Sequence, residues 1–449
     1  MALVTNFSKR TFTKSATFLA VAVSVVGVAT SMQAISVSAK SKPASQPITL
    51  TISEWTNVPA ITATKLIDSE FEKAHPGVKI NLVYAPNPGP WPNLVNSEMA
   101  AHNVDVLGNY PIGGNIPKPY MKGLQPSQTE NEINAGEFKN LAGMKFINQD
   151  FLPGLQQKFM GYKKGIWGVT EASYGIGGVW YNESLFAKYH LSVSKTFNEL
   201  LHVCQVFQSH GVIPIQVGAE HGYDQMITAG AMQQEIPHQQ AAALNYGLWT
   251  GKITWANDPV FTKVMTRYSQ LSKYFEPNAF GTTNNESYGP FETGKAAMFE
   301  NGSWAGFTIY SAHPHFKYSW FPLPMTNDPA KNQMQVTPDF TWMVPSQAPH
   351  VSLALQYIQF FSEPVHYLQW EKLVGAIPTE KMATLSLPWM TTTLKYLPTS
   401  QQEFSIMGPN NAGPLAYAPA DTSSLKPQGP YTVGKLLQEA TKQWLAAVK

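Results

Sequence analysis

Cysteine is almost missing from this chain: Cys204 stands alone, so no internal disulfide can form and the fold must rest on its apolar core. Charge is scarce too. Asp, Glu, Lys and Arg make up 13% of the 449 residues, about half the usual globular share, which suits an acidic medium where carboxylates are neutral anyway. No run of Lys and Arg occurs, so nothing points to a nucleic-acid partner. Gly113-Gly114 and Gly177-Gly178 match neither a phosphate-binding loop nor a dinucleotide fingerprint. His313 and His315 form an H-x-H with no partner at zinc spacing, so they read as turn histidines, and neither metal nor cofactor is expected. There is no internal repeat or heptad run.

What is present begins with Lys9, Arg10 and Lys14, the apolar run Ala16 to Ala29, and small residues ending at Ala34 and Ala39. That is the layout of a secretory signal peptide over residues 1–39, with Val37-Ser38-Ala39 as the cleavage triplet. The run is shorter than the roughly 20 residues a stable membrane span needs. Three of the 31 Lys and Arg lie in this segment, so cleavage would leave 28 against 29 acids, a net charge of −1. Residues 40–46 read as a disordered lead. The remainder is long enough, at 43% apolar, for two domains.

Ile48 to Trp55 reads as a strand, Thr62 to Ala74 as a helix stopped by Pro76-Gly77, and Val78 to Tyr84 as a second strand. This β-α-β order implies a parallel sheet in an α/β lobe. Val104 to Leu107 is a short buried strand whose carboxyl end opens at Gly108, Asn109 and Tyr110. Ligands in open α/β sheets sit beyond such ends, which nominates Trp55, Asn109 and Tyr110. Thr196 and Glu199 have capping-box spacing ahead of an apolar stripe of Phe197, Leu200, Cys204 and Phe207, which makes Cys204 a buried hydrophobe. Residues 110–160 and 385–430, rich in Pro, Gly and Asn, read as surface loops.

The most informative stretch is Phe291 to Trp304, FETGKAAMFENGSW. It reads as a helix end, a turn at Gly294, a short strand from Ala296 to Phe299 and a Gly302 turn that leaves Trp304 at a strand end. It resembles the F-x-x-G-K-A-A-M-x-x-x-G-S-W signature of extracellular solute-binding proteins of sugar ABC transporters. Other segments follow in that family's order. Gly165 to Thr170, then Gly177 to Asn182 with Leu185-Phe186, resembles the segment that crosses from first lobe to second; Thr196 to Leu201 resembles a helix start; Gly211 to Ile215 resembles the next strand, and the loop after it carries His221, Tyr223 and Asp224. Phe321 to Pro324 resembles the return crossing, Ser362-Glu363-Pro364 a third helix start, and Gly375 to Pro378 a terminal loop. Lipid-anchored relatives carry a Cys directly after the signal, and this chain does not.

The resemblance implies an α/β, two-lobe periplasmic-binding-protein type II fold of the maltose-binding-like class, with crossing strands as hinge and the ligand cleft between lobes. Lobe I is expected at 47–173 plus 325–362, and lobe II at 174–324 plus 363–449. The implied function is capture of a carbohydrate, a di- or oligosaccharide, and its delivery to an ABC transporter permease by a monomer at the extracellular face of the membrane or in the periplasm, with flytrap closure. The nominated contacts are Trp55, Asn109, Tyr110, Glu171, Tyr174, Tyr223, Asp224, Trp304, Asp339 and Trp342. Trp304 and Trp342 would stack on sugar faces, while Asp339, Glu171 and Asn109 would take hydroxyl hydrogen bonds. Against ligand contact stands the ordinary fate of aromatics, which is the core. The rival functions are a secreted polysaccharide-degrading enzyme and a carbohydrate-adhesion module. A glycosidase needs two opposed carboxylates, and Glu171, Glu300 and Asp339 are the candidates, but none lies in a hydrolase motif. The chain is therefore expected not to be an enzyme.

Overall fold

The computed structural model describes residues 47–86, 90–108, 112, 117–381, 387–402 and 406–449. The signal segment, Asn109 and Tyr110 lie outside the described residues.

Ile48–Trp55 pairs in parallel with Val78–Ala85 on one side and Val106–Gly108 on the other. The helix between them, Val58–Ala74, starts earlier than its apolar stripe suggests: the Asn57 side chain caps it by accepting from the Ala60 N–H at 3.1 Å, and Pro59 fits its first turn. It buries Ile61, Ile67 and Phe71, and the chain then turns through Gly77 at φ +94°. Gln335–Met343 lies antiparallel to both Val106–Gly108 and Val169–Ile176, and Ile377–Pro378 closes the far edge. With Gln401–Gln402 this makes a seven-stranded sheet among the described residues. A four-stranded sheet has the order Tyr318–Pro322, Gly178–Asn182, Ala296–Glu300, Ile213–Gln216.

The chain steps between the sheets at Gly177, where φ is +74°, a region open to glycine at little cost. Next to it the Trp320 ring fills the space a Cβ on Gly178 would need. The return runs from Pro322 to Gln335. Beyond residue 363 the C-terminal region is shared between the two cores. Trp370, Val374 and Ala376, at and after helix Pro364–Val374, lie in the core of the seven-stranded sheet. Leu436, Leu437, Ala440 and Trp444 of helix Val433–Ala447 lie in the core of the four-stranded one. The expected assignment of all of 363–449 to the second lobe does not follow this packing.

The stretches expected as surface loops are built in. Gln128–Ala135, Lys145–Gln149 and Leu155–Met160 are helices, and Phe138, Leu141, Phe146 and Phe151 are buried in the first core. Met121 and Leu124 reach the second core, as do Ile406, Ala418 and Leu425. Cys204 is fully buried, and burial pushes its thiol well up from the usual range.

Candidate binding site between the two sheets

Two hydrogen bonds tie the sheets together where the sites expected from sequence converge. The Ser303 N–H donates to the Gly175 carbonyl at 2.8 Å, and the Gly175 N–H donates to Ser303 Oγ at 2.9 Å. Ser303 follows the strand Ala296–Glu300 of the small sheet, and Gly175 lies in Val169–Ile176 of the large one. The turn between is fixed by the Asn301 side chain, which accepts from Gly302 N–H at 2.9 Å, and by the Trp180 indole, which donates to the Gly302 carbonyl at 3.0 Å. A Cβ on Gly302 would run into the Trp304 ring, so glycine here lets the indole fold back over the turn.

Trp304 is half-buried and packs against the first core and against a third apolar cluster that includes Trp180, Phe299 and Trp320 of the small sheet. Tyr174 meets it edge-on with centroids 5.4 Å apart, and Phe340 meets Tyr174 at 6.0 Å. Beside them Asp339, opposite Ala172 in the ladder, is pushed up to about 7 by burial, offset in part by its bond from the Phe340 N–H at 2.7 Å. Asp339 stays partly open to solvent. Phe340 has φ +47°, uncommon for a side chain of that size, and backbone strain of this kind clusters at ligand clamps. From the small-sheet side comes Tyr223, whose hydroxyl is raised by burial and then by the charges of Glu300 and Asp339. One phenol therefore feels carboxylates from both sheets. Glu300 is buried, its Oε2 has no hydrogen bond to protein, and burial followed by Asp224 raises it well above the carboxylate range.

The ten nominated residues thus separate. Trp304, Asp339 and Tyr223 gather around Tyr174, but Tyr174 itself is 2% exposed and part of the first core, so it braces the Trp304 ring and offers no face to a ligand. Trp55, at the carboxyl end of its strand, is half-buried on the margin of the first core. Asn109 and Tyr110 are outside the described residues. Three further nominations are corrected. Trp342 is 0% exposed, locked against Phe361 at 5.2 Å and over Gly108, where a Cβ would lie 2.5 Å from its ring; it is core and has no face for a ligand. Asp224 is buried and accepts a bond from the Tyr268 hydroxyl, so it serves the second core. Glu171 is 0% exposed and accepts from Ser362 Oγ at 2.8 Å. It faces a buried carboxylate group with Glu371 and Glu380, and burial pushes it up to about 8.

Sequence reasoning missed Phe340 and Ser303. The Ser within the FENGSW stretch was visible as part of a motif, but its interlobe bond was not, and no local signal announces a positive φ at a phenylalanine. Among the described residues, no group of three or more His, Cys, Asp and Glu is placed to hold a metal ion, and no helix is long and apolar enough to cross a membrane. His313 stands 3.5 Å from Glu292.

A two-lobe α/β fold with strands crossing between sheets, and an aromatic and carboxylate cluster at the crossing, defines a class of ligand-binding proteins that hold a solute between lobes. The chain belongs to the bacterial extracellular solute-binding protein family, whose model matches residues 139–365. An uncharacterized ABC transporter extracellular-binding protein of Pyrococcus horikoshii is 23% identical over 340 residues, covering 73% of this chain and 71% of that one. Solved structures share the fold. A chitin oligosaccharide binding protein superposes with a TM-score of 0.70 at 17% identity, over 90% of this chain and 99% of the other. The raffinose complex of RafE, which is known also in an apo form from Streptococcus pneumoniae, does so with 0.67 at 18%, over 90% and 100%. A Bacillus licheniformis sugar transporter in complex with stachyose gives 0.67 at 15%, over 90% and 100%.

Proposed function

We propose that this protein is an extracytoplasmic binding protein that captures a carbohydrate, a di- or oligosaccharide, in the cleft between its lobes and delivers it to the membrane permease of an ABC transporter. Lobe I is the unit built on the seven-stranded sheet, with helix Pro364–Val374, and lobe II the unit built on the four-stranded sheet, with helix Val433–Ala447. The reading is carried by Trp304, a half-buried indole between the first core and the third apolar cluster, edge-on to Tyr174, which feels the charge of Asp339. Its flat apolar face suits the C–H face of a sugar ring, and the Asp339 carboxyl on the other side of Tyr174 suits the ring's hydroxyls. The solutes held by the raffinose, stachyose and chitin oligosaccharide relatives support the same ligand class.

Closure of the lobes on the ligand is part of this reading. A sugar that touches Asp339 on one lobe and Trp304 and Tyr223 on the other binds best when the lobes are together, and it shifts the population by its preference for that state. The N-terminal 39 residues direct export, the monomer works outside the cytoplasm, and no bond is broken. Titration calorimetry with neutral mono-, di- and oligosaccharides tests this. At least one is expected to bind saturably, with the Trp304→Ala protein weaker by about 1 to 3 kcal/mol, as for loss of an aromatic anchor. Unchanged affinity in that variant removes Trp304 from the site, and consumption of the sugar makes the protein a hydrolase.

A further inference from the structure

We propose that residues 118–124 are a clasp between the lobes: a piece of lobe I chain that docks in lobe II, holds the empty protein shut and lifts off when the cleft opens. It rests on the two-lobe reading above and gives a working part to a stretch that looks like surface loop in the sequence.

The chain leaves the seven-stranded sheet at Gly108, and Ile112 still packs against the first core. It is back on that lobe at helix Gln128–Ala135, where Gln128 Nε2 donates to Asn96 Oδ1 at 2.8 Å and Ile133 is buried in the first core. Between these two points it visits the other lobe. The Met121 N–H donates to the Lys118 carbonyl at 2.8 Å and the Leu124 N–H to the Met121 carbonyl at 3.2 Å, and these turns set Met121 and Leu124 inward while Lys118 and Lys122 face solvent. Both apolar side chains, 3% and 8% exposed, join the buried cluster that holds Leu244 and Leu248 of helix Ala241–Thr250. Tyr120 packs against the same cluster, and its ring meets Tyr246 of that helix edge-on, with centroids 5.0 Å apart. On Tyr246 also sits Lys252, its ammonium 4.8 Å from the ring centre.

This contact differs in kind from the bonds between Ser303 and Gly175. Those lie two residues from the crossing at Gly177, where turning one lobe against the other moves atoms least. The clasp joins the lobes by side-chain contact, so a rotation that opens the cleft has to pull it apart. Its grip is apolar and aromatic, which is non-directional and re-forms whenever the lobes meet. It is also small, two buried side chains and one ring pair against two full cores, so it parts without unfolding either lobe. A protein held shut in this way loses less of a ligand's binding free energy to closure, because apparent affinity scales with the fraction of molecules already in the competent state.

The test is a distance measurement on the ligand-free protein by pulsed dipolar spectroscopy. Spin labels go on Ser69→Cys in helix Val58–Ala74 of lobe I and on Lys263→Cys in helix Pro259–Leu271 of lobe II, both exposed, while the fully buried Cys204 stays unlabelled. The parent should show one interlobe distance. Tyr120→Ser combined with Tyr246→Ser should add a second, longer one, its share growing by about fivefold or more. Tyr246 is 41% exposed and Tyr120 partly so, and this pair of changes leaves Met121 and Leu124 in place, so the variant should fold. Met121→Ser cuts deeper and should move the distribution further the same way; if that protein does not fold, the tyrosine pair decides alone. Identical distributions in the parent and the tyrosine variant overturn the clasp, as does a parent that is already mostly open. Because no ligand is present, failure of every sugar to bind would leave the clasp standing, and an unmoved distance would leave the sugar reading standing.

Discussion

At the scale of single residues, two tryptophans that look alike in the sequence have opposite roles. Trp342 is wholly enclosed, so Trp342→Ala should cost about 3 to 5 kcal/mol of stability in urea unfolding while the folded protein keeps its sugar affinity. Trp304 is half-buried against the first core and the third apolar cluster, so its loss should act on affinity first. An equal loss of stability in both variants would mean that Trp304 is a core residue like Trp342. Nothing local separated the pair. Trp304 follows a glycine turn and Trp342 sits in a strand, and only the packing of Phe361 and Gly108 around Trp342 decides the matter. Asp339 adds a pH signature. Burial places its titration at about 7, so a sugar that needs the ionised acceptor should bind more weakly as pH falls below that value, and Asp339→Asn should flatten the dependence. A pH-independent affinity in the parent protein would show that no sugar hydroxyl depends on this carboxylate.

At the scale of elements, much of the first sheet was legible. The strand Ile48–Trp55 has the bounds its apolar pattern suggests, and the parallel β-α-β unit follows from element order. The helix after it starts four residues before the expected Thr62 because Asn57 and Pro59 are start signals that an apolar stripe does not include. Less was legible where burial comes from distant chain. Phe138 and Phe151 sit in a stretch too broken by Pro, Gly and Asn to look like core, and they are buried because the first sheet lies against them. The division of the C-terminal region between two cores has no local signal at all. The crossing between the sheets runs through glycine, and one of these residues carries a prediction. Gly177 holds φ +74° and a Cβ there would meet only ordinary contacts, so Gly177→Ala should cost about 1 to 2 kcal/mol through backbone strain alone. A neutral effect on the urea midpoint would mean that the crossing relaxes to another conformation.

At the scale of the whole molecule, the low charge content meets a group of buried carboxylates. Glu54, Asp68, Glu171, Glu371 and Glu380 all titrate above the ordinary range, each chiefly through burial. A carboxyl whose folded pKa is raised is protonated in the folded chain while the unfolded chain ionises, so its contribution is fully present below the unfolded value and is lost as pH rises toward the folded one. For Glu171 that window runs from the ordinary 4.5 to about 8. The melting temperature should therefore fall between those two values, and Glu371→Gln should stabilise the protein at the alkaline end and not at the acid end. A melting temperature that rises across the same range would contradict this burial. The central claim, that the molecule binds a carbohydrate without altering it, is tested most directly by thermal unfolding against a panel of mono-, di- and oligosaccharides, with the sugar assayed afterwards. A ligand that binds only the folded state raises the midpoint by mass action. The expected result is a clear shift with one di- or oligosaccharide, absent in Trp304→Ala, and the sugar recovered intact; no shift with any sugar, or a sugar cleaved during the run, would contradict the account.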